Sequence, residues 1–162
     1  MAELTPVPVS QSKVVMTELV LPQHTNALDS VFGGVIMSWI DIAAAISSQR
    51  HSGMQVVTAS IDALNFVQPV YKGWIVNIKA AVNFVSNTSM EVGVRVDAEN
   101  PITKEIFHTA SAYLTFVALG SDGKPRKVPQ VLPQTTDEIR RHAAAKLRRE
   151  NRLAQRKLFA KS

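Results

Sequence analysis

Residues 26–50 read NALDSVFGGVIMSWIDIAAAISSQR, and the fold turns on how this stretch is taken. A Gly pair, Gly33-Gly34, opens a run in which Val35, Ile36, Met37, Trp39, Ile40, Ile42, Ala43, Ala44, Ala45 and Ile46 occupy nearly every helical azimuth. A helix apolar all round is read as buried. This one is too short, and too polar at both ends, for a membrane span. Between Gly33 and Ser48 the only charged side chain is Asp41. Removing an ionised carboxylate from water costs several kcal/mol even after relaxation, of order 5, unless a partner compensates. Two readings follow. Asp41 lies on a thin exposed stripe with Ser38 and Ala45, or caps a neighbouring amide; or it is a general base or nucleophile at the wall of a narrow cleft. At ~1.5 Å per residue, Asp41 stands about 12 Å along the helix from Gly33. That is too far for the helix N-terminus and Asp41 of one chain to grip a single carbonyl group. If both act on one bond, one of them comes from another copy of the chain.

On the N-terminal side, residues 1–12 read as a poorly ordered lead-in, and KVVMTELVL, residues 13–21, as a β-branched, apolar strand closed by Pro22. A polar loop, QHTNALDS, leads into the helix, which continues to about Arg50 and is stopped by Gly53. Four extended runs follow: 55–67, 74–85, 90–99 and 105–119. Period-two patterning is visible in Val57, Ala59, Ile61, Ala63 and again in Val92, Val94, Val96. Pro69 with Lys72-Gly73, then Ser86-Asn87-Thr88, then Asn100-Pro101 mark the turns. Thr58, Ser60 and Asn65 suggest a polar strand face that could lie along a ligand. One strand, one buried helix and four more strands describe an α+β fold in which an antiparallel sheet wraps a single long central helix. Such a fold completes its core by pairing with a second copy. Residues 121–162 form a Pro-containing basic segment and a C-terminal helix. In that helix Thr135 or Thr136 is the cap, and Ile139, Ala143, Leu147 and Leu153 give a thin apolar stripe opposite a solvated basic side.

A chain of 162 residues with 46% hydrophobic content supports one domain with a sizeable core. The absence of cysteine removes disulfides, thiolate nucleophiles and zinc–thiolate sites from consideration. With an N-terminus that lacks the pattern of a signal peptide, it leads to the expectation of a cytoplasmic protein. The net charge of +5 is uneven: residues 135–162 carry +6 and residues 1–134 carry −1. The basic helix has no interleaved aromatics to stack on bases, so nucleic acid is not expected as a partner. His24, His51, His108 and His142 are not at metal-ligand spacing, and no metal is expected.

HTNALDSVFGGVIMSWIDIAAAISSQRH resembles the helix segment of hotdog-fold acyl-CoA thioesterases of the cytosolic acyl-CoA hydrolase group. NFVSNTSMEVGVRVDAENPITKE and DGKPRKVPQV resemble that family's later strands and its basic, Pro-rich exit. The resemblance implies a hotdog domain over residues 13–120, hydrolysis of acyl-CoA to free fatty acid and CoA, and no cofactor beyond the substrate's own coenzyme A. It implies a dimer as the minimal unit, three of which form a hexamer, with the site at the dimer interface. Carried over by position, the catalytic residues are Asn26, which orients water or carbonyl, and Asp41 from the partner chain, which activates water or attacks the carbonyl. Gly34 is the candidate amide for the growing oxyanion. Asn87, Thr88 and Ser89 would lie beside the CoA phosphates or adenine, with Arg126 and Lys127 as phosphate contacts. Two positions depart from the pattern: Phe32 stands where His is common, and Asn87 where many relatives are basic. The alternatives are an acyl-CoA-binding sensor on the same scaffold and a dehydratase of acyl thioesters.

Overall fold

A computed structural model describes residues 3–160. Met1, Ala2, Lys161 and Ser162, the extreme ends of the lead-in and of the C-terminal segment, lie outside the described residues. The chain forms β1 (Val7–Pro8), a 3-10 turn (Val9–Ser12), β2 (Val14–Leu19), a second 3-10 turn (Pro22–His24) and the helix α1 (Gly33–Ser52). There follow β3 (Gln55–Phe66), β4 (Ile75–Val85), β5 (Ser89–Glu99), β6 (Ile106–Leu119), β7 (Val131–Leu132) and α2 (Thr136–Phe159).

Five strands make one antiparallel sheet in the order β2-β4-β5-β6-β3. Its inner face is a block of β-branched and small residues: Val76, Ile78, Ala80 and Val82 on β4, Val92, Val94 and Val96 on β5, Ala110, Ala112, Leu114 and Phe116 on β6, all buried. Against it α1 presents Ile36, Trp39, Ile40, Ala43, Ala44, Ser47 and His51 at three- and four-residue intervals. Burying such a Leu- or Ile-sized side chain stabilises by roughly 1.5–3 kcal/mol, so this helix–sheet contact is the core. Gly53 ends α1 in the left-handed conformation (φ 67°), where a Cβ is strained, and its N–H returns to the Gln49 carbonyl at 2.8 Å.

The structure differs from the sequence reading at both ends. Residues 7–12 are tied to the body rather than loose. The Val7 N–H donates to the Gln130 carbonyl at 2.9 Å, β1 pairs in parallel with β7, and Val9 and Ser12 are buried, with Ser12 Oγ accepting from the Val82 N–H. Two-residue strands carry no periodicity, so this pairing is invisible in the sequence.

The stripe foreseen on α2 faces the wrong way. Ile139, Leu147 and Leu153 are exposed, and the packed face carries Ala145, Arg148 and Arg152. α2 lies over the outer face of the sheet. Arg148 donates to both oxygens of the buried Glu91 (2.7 and 3.2 Å) and stacks on the Tyr113 ring at 3.6 Å, while Arg152 reaches Asp62 at 2.7 Å. The basic side of the helix is thus partly an anchor rather than wholly a solvated face. Its N-terminus is a capping box between Thr135 and Glu138. No helix among the described residues is long and apolar enough to cross a membrane.

Candidate active site

Asp41 sits midway along α1 on the side turned towards β3, half-buried rather than enclosed. Met37 and Ile42 beside it are exposed, so the helix is open along one strip where the all-round apolar pattern implied burial. Its carboxylate is nevertheless engaged: Thr58 Oγ1 donates to Asp41 Oδ1 at 2.8 Å. No partner is found for Oδ2 among the described residues.

The Thr58 contact depends on a bulge. In β3 the register against β6 shifts between Thr58, opposite Phe116, and Ser60, opposite Thr115. Phe116 belongs to the inner face, so Thr58 is turned inward towards α1 while Ser60 faces out. Thr58, Ser60 and Asn65 therefore do not share a polar face. Bulges recur where a side chain must be re-aimed, and a strict two-residue period cannot reveal one. That is why the sequence marks Thr58 as polar without pairing it to Asp41.

Asn26 lies in the loop before α1 and closes that loop with its own side chain. Its Oδ1 accepts from the Leu28 N–H (2.8 Å) and the Ser30 N–H (3.3 Å), and its Nδ2 donates to Ser30 Oγ at 3.0 Å. Within one protomer Asn26 and Asp41 belong to separate hydrogen-bond networks. Between Asn26 and the helix, Phe32 occupies the N-cap position and supplies no side-chain acceptor. Among the described residues the amides of Gly33 and Gly34 consequently have no partner, which gives the first turn the character of an anion site. A Cβ at Gly33 would lie 3.3 Å from the Phe66 ring, whereas one at Gly34 would meet nothing within 4 Å. A cleft of about 320 Å³ runs along this end, lined by Ser30, Gly33, Ile36, Phe66 and Val70.

The residues expected near coenzyme A are at the far end of α1. Asn87 and Thr88 form the β4–β5 turn, where their carbonyls accept from Val128 and Ala118, and their side chains have no hydrogen-bond partner among the described residues. Ser89 begins β5. Arg126 is committed to Asp122 at 2.8 Å, and Lys127 is exposed. Close by, the buried His51 bonds through Nε2 to the Pro129 carbonyl at 2.8 Å, which joins the end of α1 to the exit segment. Burial pushes its imidazole below the usual range, against the opposing hydrogen bond to Pro129. His24 accepts from the Leu21 N–H and meets Trp39 edge-on, and His142 lies against Phe84; among the described residues no acid–histidine cluster could hold a metal. In one protomer the candidate groups are strung along the whole helix: Asn26 and the glycines at its start, Asp41 in the middle, the Asn87 turn near its end.

The family described as the thioesterase superfamily matches residues 28–104. The uncharacterized acyl-CoA thioester hydrolase YkhA of Bacillus subtilis (strain 168) is 44% identical over 142 residues, which are 88% of this chain and 83% of that protein. The Mus musculus cytosolic acyl coenzyme A thioester hydrolase is 39% identical over 85% of this chain, which spans 37% of that longer protein. Among solved structures, an apo-hexameric acyl-CoA thioesterase superposes with a TM-score of 0.91 at 41% identity, covering 94% of this chain and 97% of that one. An acyl-CoA hydrolase from Staphylococcus aureus, solved with butyryl coenzyme A, coenzyme A and coenzyme A disulfide, gives a TM-score of 0.89 at 38% identity over 96% of this chain and 94% of its own. That enzyme has also been solved with an aspartate, a threonine or an asparagine replaced by alanine. The present chain belongs to the thioesterase superfamily, among its hotdog-fold acyl-CoA thioester hydrolases.

Proposed function

We propose that this chain hydrolyses acyl-CoA to a free fatty acid and CoA at a site shared between two protomers. Asp41 and Thr58 come from one, and Asn26 with the Gly33-Gly34 amides from the other. The observation that carries the reading is the Thr58–Asp41 hydrogen bond beside the free edge of β3. One carboxylate oxygen is fixed by a donor, and the other is left for a proton in a strip that a second copy would cover. Among the described residues β3 pairs only with β6, which leaves its other edge free, and Val57 and Phe66 on β3 and Met37 and Ile42 on α1 are exposed. A long apolar edge of this kind is a pairing surface. In the S. aureus hydrolase, the three residues replaced by alanine stand at the same intervals along the chain as Asn26, Asp41 and Thr58 do here.

In this reading Asp41 Oδ2 takes a proton from water as the oxygen adds to the thioester carbonyl, or the carboxylate itself adds to that carbonyl. Asn26, whose Oδ1 is occupied by its own loop, contributes an Nδ2 hydrogen to orient water or carbonyl. Negative charge on the carbonyl oxygen is met by the helix N-terminus, Gly34 foremost, because its surroundings are open. Collapse of the adduct breaks the C–S bond: in the general-base route the CoA thiolate takes the proton held by Asp41, and in the nucleophilic route water then hydrolyses the acyl–Asp41 anhydride, which frees the fatty acid, restores the carboxylate and supplies the proton to the thiolate. Asn87, Thr88, Ser89 and Lys127 serve the nucleotide; Arg126, already paired, serves it less. Three dimers form the hexamer.

The test is Asp41→Asn, assayed by thiol release from acyl-CoA thioesters of graded length. Loss of a general base removes about 10²–10⁴ of rate, so kcat falls by that order while KM and CoA binding change little. Turnover that survives the substitution refutes the assignment.

A further inference from the structure

On the face of the sheet opposite α1, beneath the first turns of α2, lies a second cavity of about 520 Å³, a size typical of small-molecule sites. Its lining includes five cationic side chains, Lys13, Lys79, Arg95, Arg140 and Arg141, and no carboxylate. Three of these have acidic partners outside the lining: Lys13 with Glu138 (3.3 Å), Arg95 with Asp97 (3.0 Å) and Arg140 with Asp137 (3.4 Å). Lys79 and Arg141 have none among the described residues.

The register sharpens the imbalance. Lys79 on β4 stands directly opposite Arg95 on β5, and Arg95 directly opposite Ser111 on β6. Like charges facing each other across a ladder destabilise a sheet, and an anion between them converts the repulsion into two attractions. The floor is kept open by Gly93, where a Cβ would come within 2.5 Å of the Asn83 amide. Beside it, Asn83 is 6% exposed, Ser111 Oγ is hydrogen-bonded with His108 Nε2 at 3.1 Å, and Tyr113 is held by Arg148 stacked on its ring. α2 closes the cavity from above with Arg140 and Arg141.

We propose that this cavity binds a small, multiply charged anion carrying a phosphate or pyrophosphate group. Lys79 and Arg95 hold it from the sheet, and Arg141 holds it from α2. Charge-assisted contacts of this kind are the strong ones. Val15 and Ala81 at the rim offer apolar surface to an organic remainder. The site lies across the sheet from Asp41 and does not depend on the catalytic assignment.

The experiment titrates sodium pyrophosphate into the full chain by calorimetry at low salt, with a nucleoside diphosphate and CoA as parallel arms. Saturable binding of pyrophosphate at one site per chain is expected, weakened about tenfold or more in the Lys79→Ala/Arg141→Ala double variant. Lys127→Ala should leave it unchanged. Tighter binding of the nucleoside diphosphate assigns the organic remainder to Val15 and Ala81; equal binding assigns recognition to the phosphates alone. Because the two replaced side chains are exposed, the double variant should keep its circular dichroism and its turnover at saturating acyl-CoA. Should it fail to fold, amide shifts decide in the wild-type protein: Gly93 and Ser111 move on adding pyrophosphate, and Asn87 to Ser89 stay. The proposal is overturned by absence of saturable binding, by a folded double variant that binds as tightly as wild type, or by pyrophosphate binding that Lys127→Ala abolishes.

Discussion

The smallest unit that matters is the contact between Thr58 Oγ1 and Asp41 Oδ1, a hydroxyl donor at 2.8 Å from a carboxylate. A hydrogen bond to a charged group is worth roughly 1.5–3 kcal/mol. If the Thr58 hydroxyl holds Asp41 in its working rotamer, Thr58→Val should lower kcat about 10- to 100-fold, while Thr58→Ser retains most of it. Thr58 is exposed, so neither change should move Tm much, and steady-state kinetics with equal turnover for Val and wild type would exclude the role. His51 gives a prediction of a different kind. Its burial favours the neutral ring, so the unfolded chain binds its proton at higher pH than the folded chain does. The contribution is fully present above the ordinary value of 6.5 and is lost as pH falls below it. An NMR titration in which His51 protonates at or above 6.5 contradicts this. Asp41 could be picked out from sequence because charge is conspicuous in an apolar helix. Thr58 could not, because its orientation is decided by a register shift at Ala59 that leaves no mark on composition.

At the scale of elements, α1 was legible from end to end, since a Gly pair, an apolar run and a left-handed Gly53 are each local signals. The α2 packing was not. Its contact face is made of arginines, and hydrophobic periodicity looks past ion pairs. Glu91 is 2% exposed and is approached by Arg148 at 2.7 Å and Arg152 at 3.3 Å. Removing one partner of a buried ion pair costs about 3–5 kcal/mol, less where a second cation remains. Arg148→Ala should therefore destabilise the fold by about 2–4 kcal/mol in urea denaturation, and adding Glu91→Gln to the same chain should recover part of the loss. A single-variant effect within about 0.5 kcal/mol would show that the pair is not what holds α2. The helix start has its own pH dependence. Glu138 accepts from the Gln134 and Thr135 N–H groups and pairs with Lys13, which together keep its carboxyl below the ordinary value of 4.5 despite burial. That stabilisation is complete above 4.5 and fades as pH falls through the lowered value. Amide exchange across the first turns of α2 should accelerate below pH 4.5 in wild type, and should already be fast at neutral pH in Glu138→Ala.

At the scale of the whole molecule, the proposed shared site follows from the length of the helix. Asn26 and the open amides stand at the start of α1, and Asp41 stands about 12 Å further along it at ~1.5 Å per residue. One protomer cannot bring them onto a single carbonyl; in the proposed dimer a two-fold partner lying antiparallel along the free β3 edge does so. A two-fold operation that joins Asn26 of one chain to Asp41 of the other makes two equivalent sites per dimer, each drawing one residue from each chain. Asn26→Ala and Asp41→Ala chains should each be inactive alone. Combined in equal amounts and allowed to exchange, half of the dimers are heterodimers, in which one site carries both substitutions and the other carries neither. Recovered activity should therefore approach about a quarter of wild type. If both residues served one bond from within a single protomer, every site in the mixture would still lack one of them. Activity would then stay at the background of the parents even after mass spectrometry had verified subunit exchange. The recovered fraction thus decides whether the catalytic unit is the chain or the pair.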